Sequence, residues 1–422
     1  PRRSGTKWWS AAAITVKFTG LREESGGKEN EMGLNDTPSG NRIHIGFFGK
    51  RNAGKSSLVN KVTGQELSVV SEKKGTTTDP VTKAMELLPL GPVLIIDTPG
   101  FDDDEGMLGK QRVQRAADIM RRVDIAVLVT DAPGGLSPEE IEIIGLFEKR
   151  AVPFLLVRSK ADGAPKEARR PDGLYVSAYT GEGIEELKRA LGALLPEKRE
   201  KHLVADLLSP GDLVVLVTPI DESAPKGRLI LPQVQTMRDI LDAGAVSIAV
   251  QPDRLSGLLQ NLGARPKMVI TDSQAFEEVA KIVPEEIPLT SFSILMARYK
   301  GFLRTAALGA AALGTLRKGD RVLIAEGCTH HRQCNDIGTV KIPRWLREFT
   351  KNQIEIDTCS GRSFPEDLSS YRMVLHCGGC MLNEREILWR MKCAEEQGVP
   401  FLNYGLTIAY MKGILARSLG IF

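Results

Sequence analysis

The stretch GKRNAGKS, residues Gly49–Ser56, decides the fold of the first part of this chain. It matches all eight positions of the phosphate-binding loop motif G-x-x-x-x-G-K-S. The run before it, 43–48, is rich in β-branched and aromatic residues, and the run after it, 58–62, has a helical pattern. Because this motif works between a strand and a helix, the context predicts a loop whose amides face phosphate oxygens.

Side chains suited to Mg²⁺ lie in and after this loop. The Ser56 hydroxyl can hold the ion, while Lys55 is expected to reach the β and γ phosphates. Asp97 follows the apolar run 93–96, which places a carboxylate at the end of a predicted strand. We therefore expect Ser56 and Asp97 to share the metal ion.

Two further positions suit contacts to a γ-phosphate. Gly100, three residues after Asp97, can offer its amide to that phosphate. Thr77 lies in the threonine-rich segment 75–80, which suits a loop that becomes ordered when the γ-phosphate and its metal are bound. Thr77 is thus a third predicted Mg²⁺ ligand.

A guanine-binding signature follows in two pieces. Residues 159–162, SKAD, come after the predicted strand 154–157, and Ser177-Ala178 stands before two glycines. The Asp162 carboxylate would accept the two N–H donors on the edge of guanine. Guanine-specific proteins usually have Asn-Lys-x-Asp here, and Ser159 replaces the Asn that braces the loop. We expect a guanine preference, and the change at Ser159 leaves the affinity open.

The whole chain reads as α/β, in three domains after an N-terminal arm. Between 43 and 195, short β-branched runs alternate with amphipathic segments, which predicts a mostly parallel sheet flanked by helices. A new strand at 213–218 opens a smaller α/β region, and the alternation returns later with strands at 322–325, 354–357, 373–375 and 401–403. The predicted domains are 42–197, 203–272 and 273–422.

Residues 1–41 form the predicted arm. Its first part, 1–31, combines two tryptophans, a short apolar run and a Gly/Glu/Lys-rich stretch, which suits neither a signal peptide nor a packed domain. We interpret 1–31 as a disordered, non-native leader, with Met32 as the natural start.

Composition excludes several classes of protein. With 422 residues, of which 42% are hydrophobic, the chain can form real cores. Lys and Arg number 56 against 53 Asp and Glu, a balance that disfavours a large nucleic-acid-binding surface. No apolar run approaches the roughly 18 residues that span a bilayer, so no membrane association is expected. Six cysteines clustered late in the chain fit a reducing cytoplasm.

Two groups of metal-binding residues follow predicted strands of the third domain. Cys328 and His330 come after 322–325, and the sequence HCGGC, residues 376–380, comes after 373–375. Because ligands bind outside the carboxyl ends of parallel strands, the two loops could converge on one centre. Three thiolates and an imidazole suit zinc or an iron–sulfur cluster, and the two glycines favour the cluster.

Other cysteines and histidines leave alternatives open. Cys328, His331 and Cys334 could form a local zinc site instead. Cys359 and Cys393 are interpreted as ordinary buried thiols.

Residues 43–195 are similar to the tRNA-modifying and ribosome-assembly GTPases of the TrmE/Era type. The resemblance implies GTP as ligand and a GTPase activity. Phe101 stands where Ras-type proteins have a water-positioning Gln, so hydrolysis should be slow. In the tRNA-modifying relatives the Asn at the position of Asn52 helps to hold K⁺, which implies potassium-stimulated hydrolysis. Asn52 could instead be a turn residue that tolerates left-handed geometry.

This resemblance and the motifs define the predicted nucleotide site. The residues expected to bind nucleotide are Gly49, Asn52, Ala53, Gly54, Lys55, Ser56, Ser57, Lys160, Asp162, Ser177 and Ala178. Those expected to act in hydrolysis are Lys55, Asn52, Thr77, Asp97 and Gly100.

The order GTPase, middle domain, Cys-x-His and His-Cys-x-x-Cys resembles the HydF family of [FeFe]-hydrogenase maturation GTPases over about 32–422. The resemblance implies a [4Fe-4S] cluster held by Cys328, Cys377 and Cys380, with His330 or His376 as the exchangeable fourth ligand. It also implies that the middle domain pairs two subunits as a homodimer.

By the same resemblance, the chain would act as a scaffold and carrier. It would accept a di-iron precursor from two radical-SAM maturases (HydE and HydG) and pass it to apo-hydrogenase (HydA), with GTP as the switch. One rival hypothesis is a TrmE/Era-like GTPase in tRNA modification or ribosome assembly with a zinc-binding C-terminal module. Another is a GTP-regulated structural dimer whose thiols bind zinc.

Overall fold

Three sheets follow one another along the part of the chain that the structure describes. The computed structural model describes residues 37–64, 81–98, 100, 116–132, 135–195, 201–220, 229–327, 336–351, 354–361 and 363–422. Residues 1–36, with the predicted leader, lie outside this range, as do Thr77, Phe101, Cys328 and His330.

The first sheet is the six-stranded sheet of the predicted GTPase domain. Its strands, in spatial order, are β2 (Val81–Leu87), β3 (Gly91–Asp97), β1 (Ile43–Gly49), β4 (Ile125–Asp131), β5 (Phe154–Ser159) and β6 (Leu174–Tyr175). Only the pair β2 and β3 is antiparallel among these strands. The predicted mostly parallel sheet is therefore confirmed.

Helices cover both faces of this sheet because its buried strands alternate their side chains between two cores. On one face, Ile45 and Phe47 of β1 pack with the helices Lys55–Thr63 and Ile184–Ala193. On the other face, Phe48 packs with the helix Pro138–Lys149.

The second sheet has four parallel strands. Their spatial order is β10 (Leu289–Ser291), β9 (Met268–Thr271), β7 (Leu213–Val217) and β8 (Val246–Val250). Its helices are Leu231–Asp242, Pro252–Asn261, Phe276–Ile282 and Phe292–Tyr299. The predicted domain boundary after residue 272 needs correction, because β10 extends this sheet to Ser291. A strand of only three residues gives little periodicity to detect.

The third sheet is again four-stranded and parallel. Its order is β12 (Glu355–Ser360), β11 (Arg321–Glu326), β13 (Met373–His376) and β14 (Phe401–Asn403). All four strands were predicted. The accompanying helices are Leu303–Gly309, Ile342–Thr350, Glu384–Glu396, Tyr404–Met411 and Leu415–Leu419, with a π-helical turn at Ile337–Lys341.

The second and third sheets share one hydrophobic core. Val215 and Phe276 of the second region belong to the same buried cluster as Ile324 and Leu375 of the third. Residues Thr37–Phe422 form a single unit by their contacts. No helix in the described ranges is both long enough and apolar enough to cross a membrane.

Candidate functional site: a nucleotide loop and a cysteine loop

The phosphate loop connects β1 to the helix Lys55–Thr63 at the carboxyl end of the first sheet. Only 7% of Lys55 is exposed, and its ammonium donates hydrogen bonds to the carbonyls of Gly49 (2.9 Å) and Lys50 (2.6 Å). A Cβ on Gly49 would lie 2.3 Å from the Val129 carbonyl oxygen, so only glycine fits this close approach of β1 to β4. Lys55 is thus fixed across the loop where phosphates bind.

Asn52 occupies the left-handed region of this loop, with a φ of 59°. This backbone geometry is the one that the turn-residue interpretation requires. Its side chain is exposed, so the same residue can also face a ligand.

The predicted Mg²⁺ ligands Ser56 and Asp97 meet at the end of β3. The Ser56 hydroxyl donates to Asp97 Oδ2 at 2.7 Å. Burial raises the pKa of Asp97, while the Ser56 hydrogen bond and the Lys55 charge oppose this shift. The other oxygen, Oδ1, is buried and has no hydrogen-bond partner among the described residues. An unpaired carboxylate oxygen beside a hydroxyl is a donor set that fits Mg²⁺.

The guanine-recognition residues also come together. The Ser177 hydroxyl donates to Asp162 Oδ1 at 2.5 Å, and this hydrogen bond lowers the pKa of Asp162. Asp162 is exposed and stays ionised at neutral pH. An ionised carboxylate can accept hydrogen bonds from both N–H donors on the edge of guanine. Lys160 adopts a left-handed conformation, with a φ of 56°, and its ammonium lies 2.8 Å from Asp131.

Ser159 braces the phosphate loop. Its hydroxyl oxygen lies 2.6 Å from the Ala53 carbonyl oxygen and 3.1 Å from that of Thr130. The side chain is buried, so these contacts are shielded from water. The replacement of Asn by Ser, which left the affinity open in the sequence, therefore keeps a contact from this position to the loop.

The cysteine loop lies at the carboxyl end of the third sheet. Strands β11 and β13 are neighbours, with Ala325 beside His376, so both predicted ligand loops begin at one edge. Cys377 Sγ accepts hydrogen bonds from the amides of Gly327 (3.1 Å) and Gly379 (3.4 Å). Gly327 is the residue before Cys328 in the sequence. The loop after β11 thus reaches Cys377 at the point where the described residues stop.

Cys377 and Cys380 are free thiols in buried surroundings beside the end of β13. Neither forms a disulfide, and burial raises the pKa of both thiols, that of Cys380 to about 12. Thiolates in such a place are stabilised by metal ions. Two backbone amides donate hydrogen bonds to the Cys377 sulfur. Such hydrogen bonds help to set the reduction potential of iron–sulfur clusters, so these residues fit a cluster. The described residues alone contain no group of three or more metal-binding side chains.

His376, one of the two predicted fourth ligands, has a partner at each ring nitrogen. It is completely buried, and burial together with Arg390 lowers its pKa to about 3. Arg390 lies 3.2 Å from Nε2, and Nδ1 lies 2.7 Å from the Cys377 carbonyl oxygen. Because the arginine can only donate, Nε2 accepts and Nδ1 donates. Both nitrogens are occupied, so His376 orients the loop from inside the core.

The other candidates have plain roles or lie outside the described residues. Cys359 is buried, as predicted, and burial raises its pKa to about 11. Cys393 is only partly buried and contacts the Glu366 carbonyl at 3.1 Å. The rival zinc site falls on 328–334, outside the described residues. Sequence reasoning missed Gly327, although its place directly before a candidate cysteine could have pointed to it.

The fold and the nucleotide loop define a GTPase domain, and comparisons with known proteins confirm it. Residues 44–160 match the family model of the 50S ribosome-binding GTPases. The tRNA modification GTPase MnmE of Dichelobacter nodosus is 34% identical over 167 residues, 38% of this chain and 37% of the relative. GTPase Der of Hyphomonas neptunium is 33% identical over 38% of this chain and 33% of the relative. The chain thus spans about a third of the length of either relative.

A solved structure of Era from Aquifex aeolicus is similar over 52% of this chain and 98% of that chain, with 20% identity and a TM-score of 0.32.

Two further family models cover most of the remaining chain. Residues 203–301 match the hydrogen maturase F dimerization domain, and 304–421 match the hydrogen maturase F tetramerization domain. Together these two models account for more than half of the chain, which belongs to the hydrogen maturase F family. Its C-terminal half therefore carries oligomerization domains.

Proposed function

We propose that this protein is a GTP-dependent scaffold in the maturation of [FeFe]-hydrogenase. It binds a [4Fe-4S] cluster, accepts a di-iron precursor from two radical-SAM maturases (HydE and HydG) and delivers it to apo-hydrogenase (HydA) in the cytoplasm. The observation that carries the proposal is the hydrogen bond from the Gly327 amide to Cys377 Sγ, which joins the two ligand loops in a member of this family.

Cys328, Cys377 and Cys380 are the proposed protein ligands of the cluster. His330 is the preferred fourth ligand, because both nitrogens of His376 already have partners. When bound, the cluster supplies an iron whose fourth ligand can exchange. The amides of Gly327 and Gly379 hold the Cys377 sulfur in place for it.

In the nucleotide site, Ser56, Asp97 and Thr77 would hold Mg²⁺, which together with Lys55 would neutralise the phosphate charge. Hydrolysis is slow because Phe101 cannot orient a water molecule. We assign to Asn52 the binding of K⁺, which supplies positive charge beside the transferred phosphate.

Contacts between the GTPase domain and the cysteine loop support a switch role for GTP. The helical segment 116–120 shares a buried cluster with Ile96, the residue before Asp97, and it ends next to Arg121. The Arg121 guanidinium stacks 3.9 Å from the Trp389 ring centroid. Arg121 also pairs with Glu366. Next to it, the Arg122 carbonyl accepts a hydrogen bond from the side-chain amide of Asn383 at 2.8 Å. Asn383 lies three residues after Cys380 in the sequence. A shift of this segment with nucleotide state would therefore be felt at the cysteine loop.

Anaerobic reconstitution with iron and sulfide tests the proposal. The parent should bind about four irons per chain, and a Cys377→Ser variant should bind few or none. Cys393→Ser is the matched control, since this partly buried thiol lies on a helix after the loop, and it should bind as much iron as the parent. Equal iron in the parent and in Cys377→Ser would refute the ligand assignment. Zinc in place of iron would favour the tRNA-modification or ribosome-assembly alternative.

A further inference from the structure

A buried lysine lies where the three regions of the chain meet. Lys300 follows the helix Phe292–Tyr299, and only 1% of it is exposed. Its ammonium donates to the Gly40 carbonyl (2.9 Å), just before β1, and to the Leu382 carbonyl (2.7 Å), two residues after Cys380. One side chain of the middle region thus ties the start of the GTPase domain to the cysteine loop.

Among the described residues, no carboxylate is hydrogen-bonded to the Lys300 ammonium. Both of its hydrogen bonds go to neutral carbonyls, and its remaining contact is with the Tyr299 ring, 5.6 Å away. Burying an ammonium without an anion is costly. Accordingly, burial lowers the pKa of Lys300 to about 8, and the nearby Cys380, Glu384 and Asp124 oppose this shift.

The hydrogen bonds place this charge beside the loop that carries Cys380. The Leu382 carbonyl that accepts from Lys300 belongs to that loop, and Gly40, whose carbonyl is the other acceptor, packs against the Cys380 and Leu382 carbonyls. A buried positive charge therefore lies next to the loop that carries a proposed cluster ligand.

The backbone around Lys300 is closely packed. A Cβ on Gly40 would lie 2.6 Å from the Leu382 carbonyl oxygen and 2.7 Å from that of Cys380. The turn that accepts from Lys300 is thus pressed directly against the loop that carries Cys380. Both acceptors of Lys300 therefore lie at this contact between the turn and the loop.

We propose that Lys300 is a positioning residue for the cysteine loop and the counter-charge of the cluster that Cys380 ligates. This inference rests on the proposed cluster binding. Reduction adds one negative charge to a cluster, and a fixed positive charge in a buried place stabilises the reduced form. Lys300 would therefore make the cluster easier to reduce.

A redox titration followed by electron paramagnetic resonance tests this on the full-length, reconstituted protein. The parent is compared with Lys300→Met, which removes the charge, and with Lys300→Arg, which keeps it. Lys300→Met should keep its cluster and have a midpoint potential more negative by about 59 mV, which is a tenfold change in the one-electron equilibrium. Lys300→Arg should keep its cluster and have a midpoint potential close to that of the parent. If Lys300→Met lost the cluster while Lys300→Arg kept it, the positive charge at this position would be shown to be needed for cluster binding.

Lys201→Met is the matched control. Lys201 is 45% exposed and pairs with Glu384 beside the same loop, so its charge is screened by solvent and its removal should shift the potential much less. An unchanged potential in Lys300→Met, or loss of the cluster in both Lys300 variants, would overturn the inference. A parent that holds no iron–sulfur cluster would instead refute the proposed function itself.

Discussion

The nucleotide site and the cysteine site both lie at the carboxyl ends of parallel strands, but the chain builds them differently. Most of the nucleotide loop comes from eight consecutive residues, Gly49–Ser56, and its key cation, Lys55, is held by carbonyls of the same loop. At the cysteine site, Cys380 lies against Gly40 and near Lys300, which are far apart in sequence. The first site can be recognised from a motif, whereas the second depends on how the three regions pack.

The difference predicts where substitutions act. A change in the phosphate loop should affect nucleotide binding and leave iron unaffected. A change in the packing around Gly40 should affect the free energy of unfolding of the chain, because that contact joins the start of the GTPase domain to the cysteine loop.

The largest effect is expected for Lys55→Ala. This change removes the buried charge that the motif predicts to contact the phosphates, so GDP and GTP affinity should fall by about 100-fold, or ~3 kcal/mol. Calorimetric titration measures it. Lys50→Ala is the control: Lys50 is more exposed and pairs with Glu139 at 3.2 Å, so its loss should change affinity by less than about threefold. Similar affinity losses in both variants would contradict the assignment of Lys55.

Gly40→Ala should destabilise the protein by about 1–3 kcal/mol, because its Cβ would overlap two carbonyl oxygens of the cysteine loop. Denaturant unfolding gives the free energy. Gly257→Ala is the opposite case: this glycine lies in the helix Pro252–Asn261 with nothing within 4 Å of a new Cβ, so alanine should stabilise by about 0.5–1 kcal/mol. If Gly40→Ala were as stable as the parent, the close contact would not exist.

Ser159→Ala should weaken GDP binding by about fivefold, since the loss of a buried hydrogen bond to the phosphate loop costs about 1 kcal/mol. The iron content should not change, because Ser159 lies in the first sheet. Unaltered GDP affinity would show that Ser159 does not brace the loop.

Replacement of KCl by NaCl at equal ionic strength should slow GTP hydrolysis at least about threefold, if Asn52 holds a K⁺ that stabilises the developing charge. An Asn52→Gly variant, which tolerates the left-handed φ of 59°, should be insensitive to the cation. Equal rates in both salts for the parent would leave Asn52 as a turn residue only.

Sequence patterns predicted the fold where hydrophobic runs are long. The strands of the third sheet and most of the first were predicted, because each is an apolar run bounded by turn residues. The short strand β10 was missed, and with it the true extent of the middle region. A parallel strand of three residues is defined by its pairing with a strand elsewhere in the chain, and no local sequence pattern encodes that pairing.

For the sites, local motifs predicted Lys55, Asp97, Asp162 and Cys377, because their neighbours in sequence give their chemistry. His376 was predicted for the same reason, since it stands beside Cys377 in sequence, but in space Arg390 and the core surround it. Lys300 had no signal, since its two acceptors lie 260 and 82 residues away.

The most direct test of the account is a single anaerobic preparation analysed for iron, sulfide, zinc and bound guanine nucleotide, with its ultraviolet–visible spectrum. We expect a brown protein with about four irons and four sulfides per chain and a nucleotide site that GDP fills without displacing iron. A colourless protein that binds GDP and contains zinc but no sulfide would contradict it.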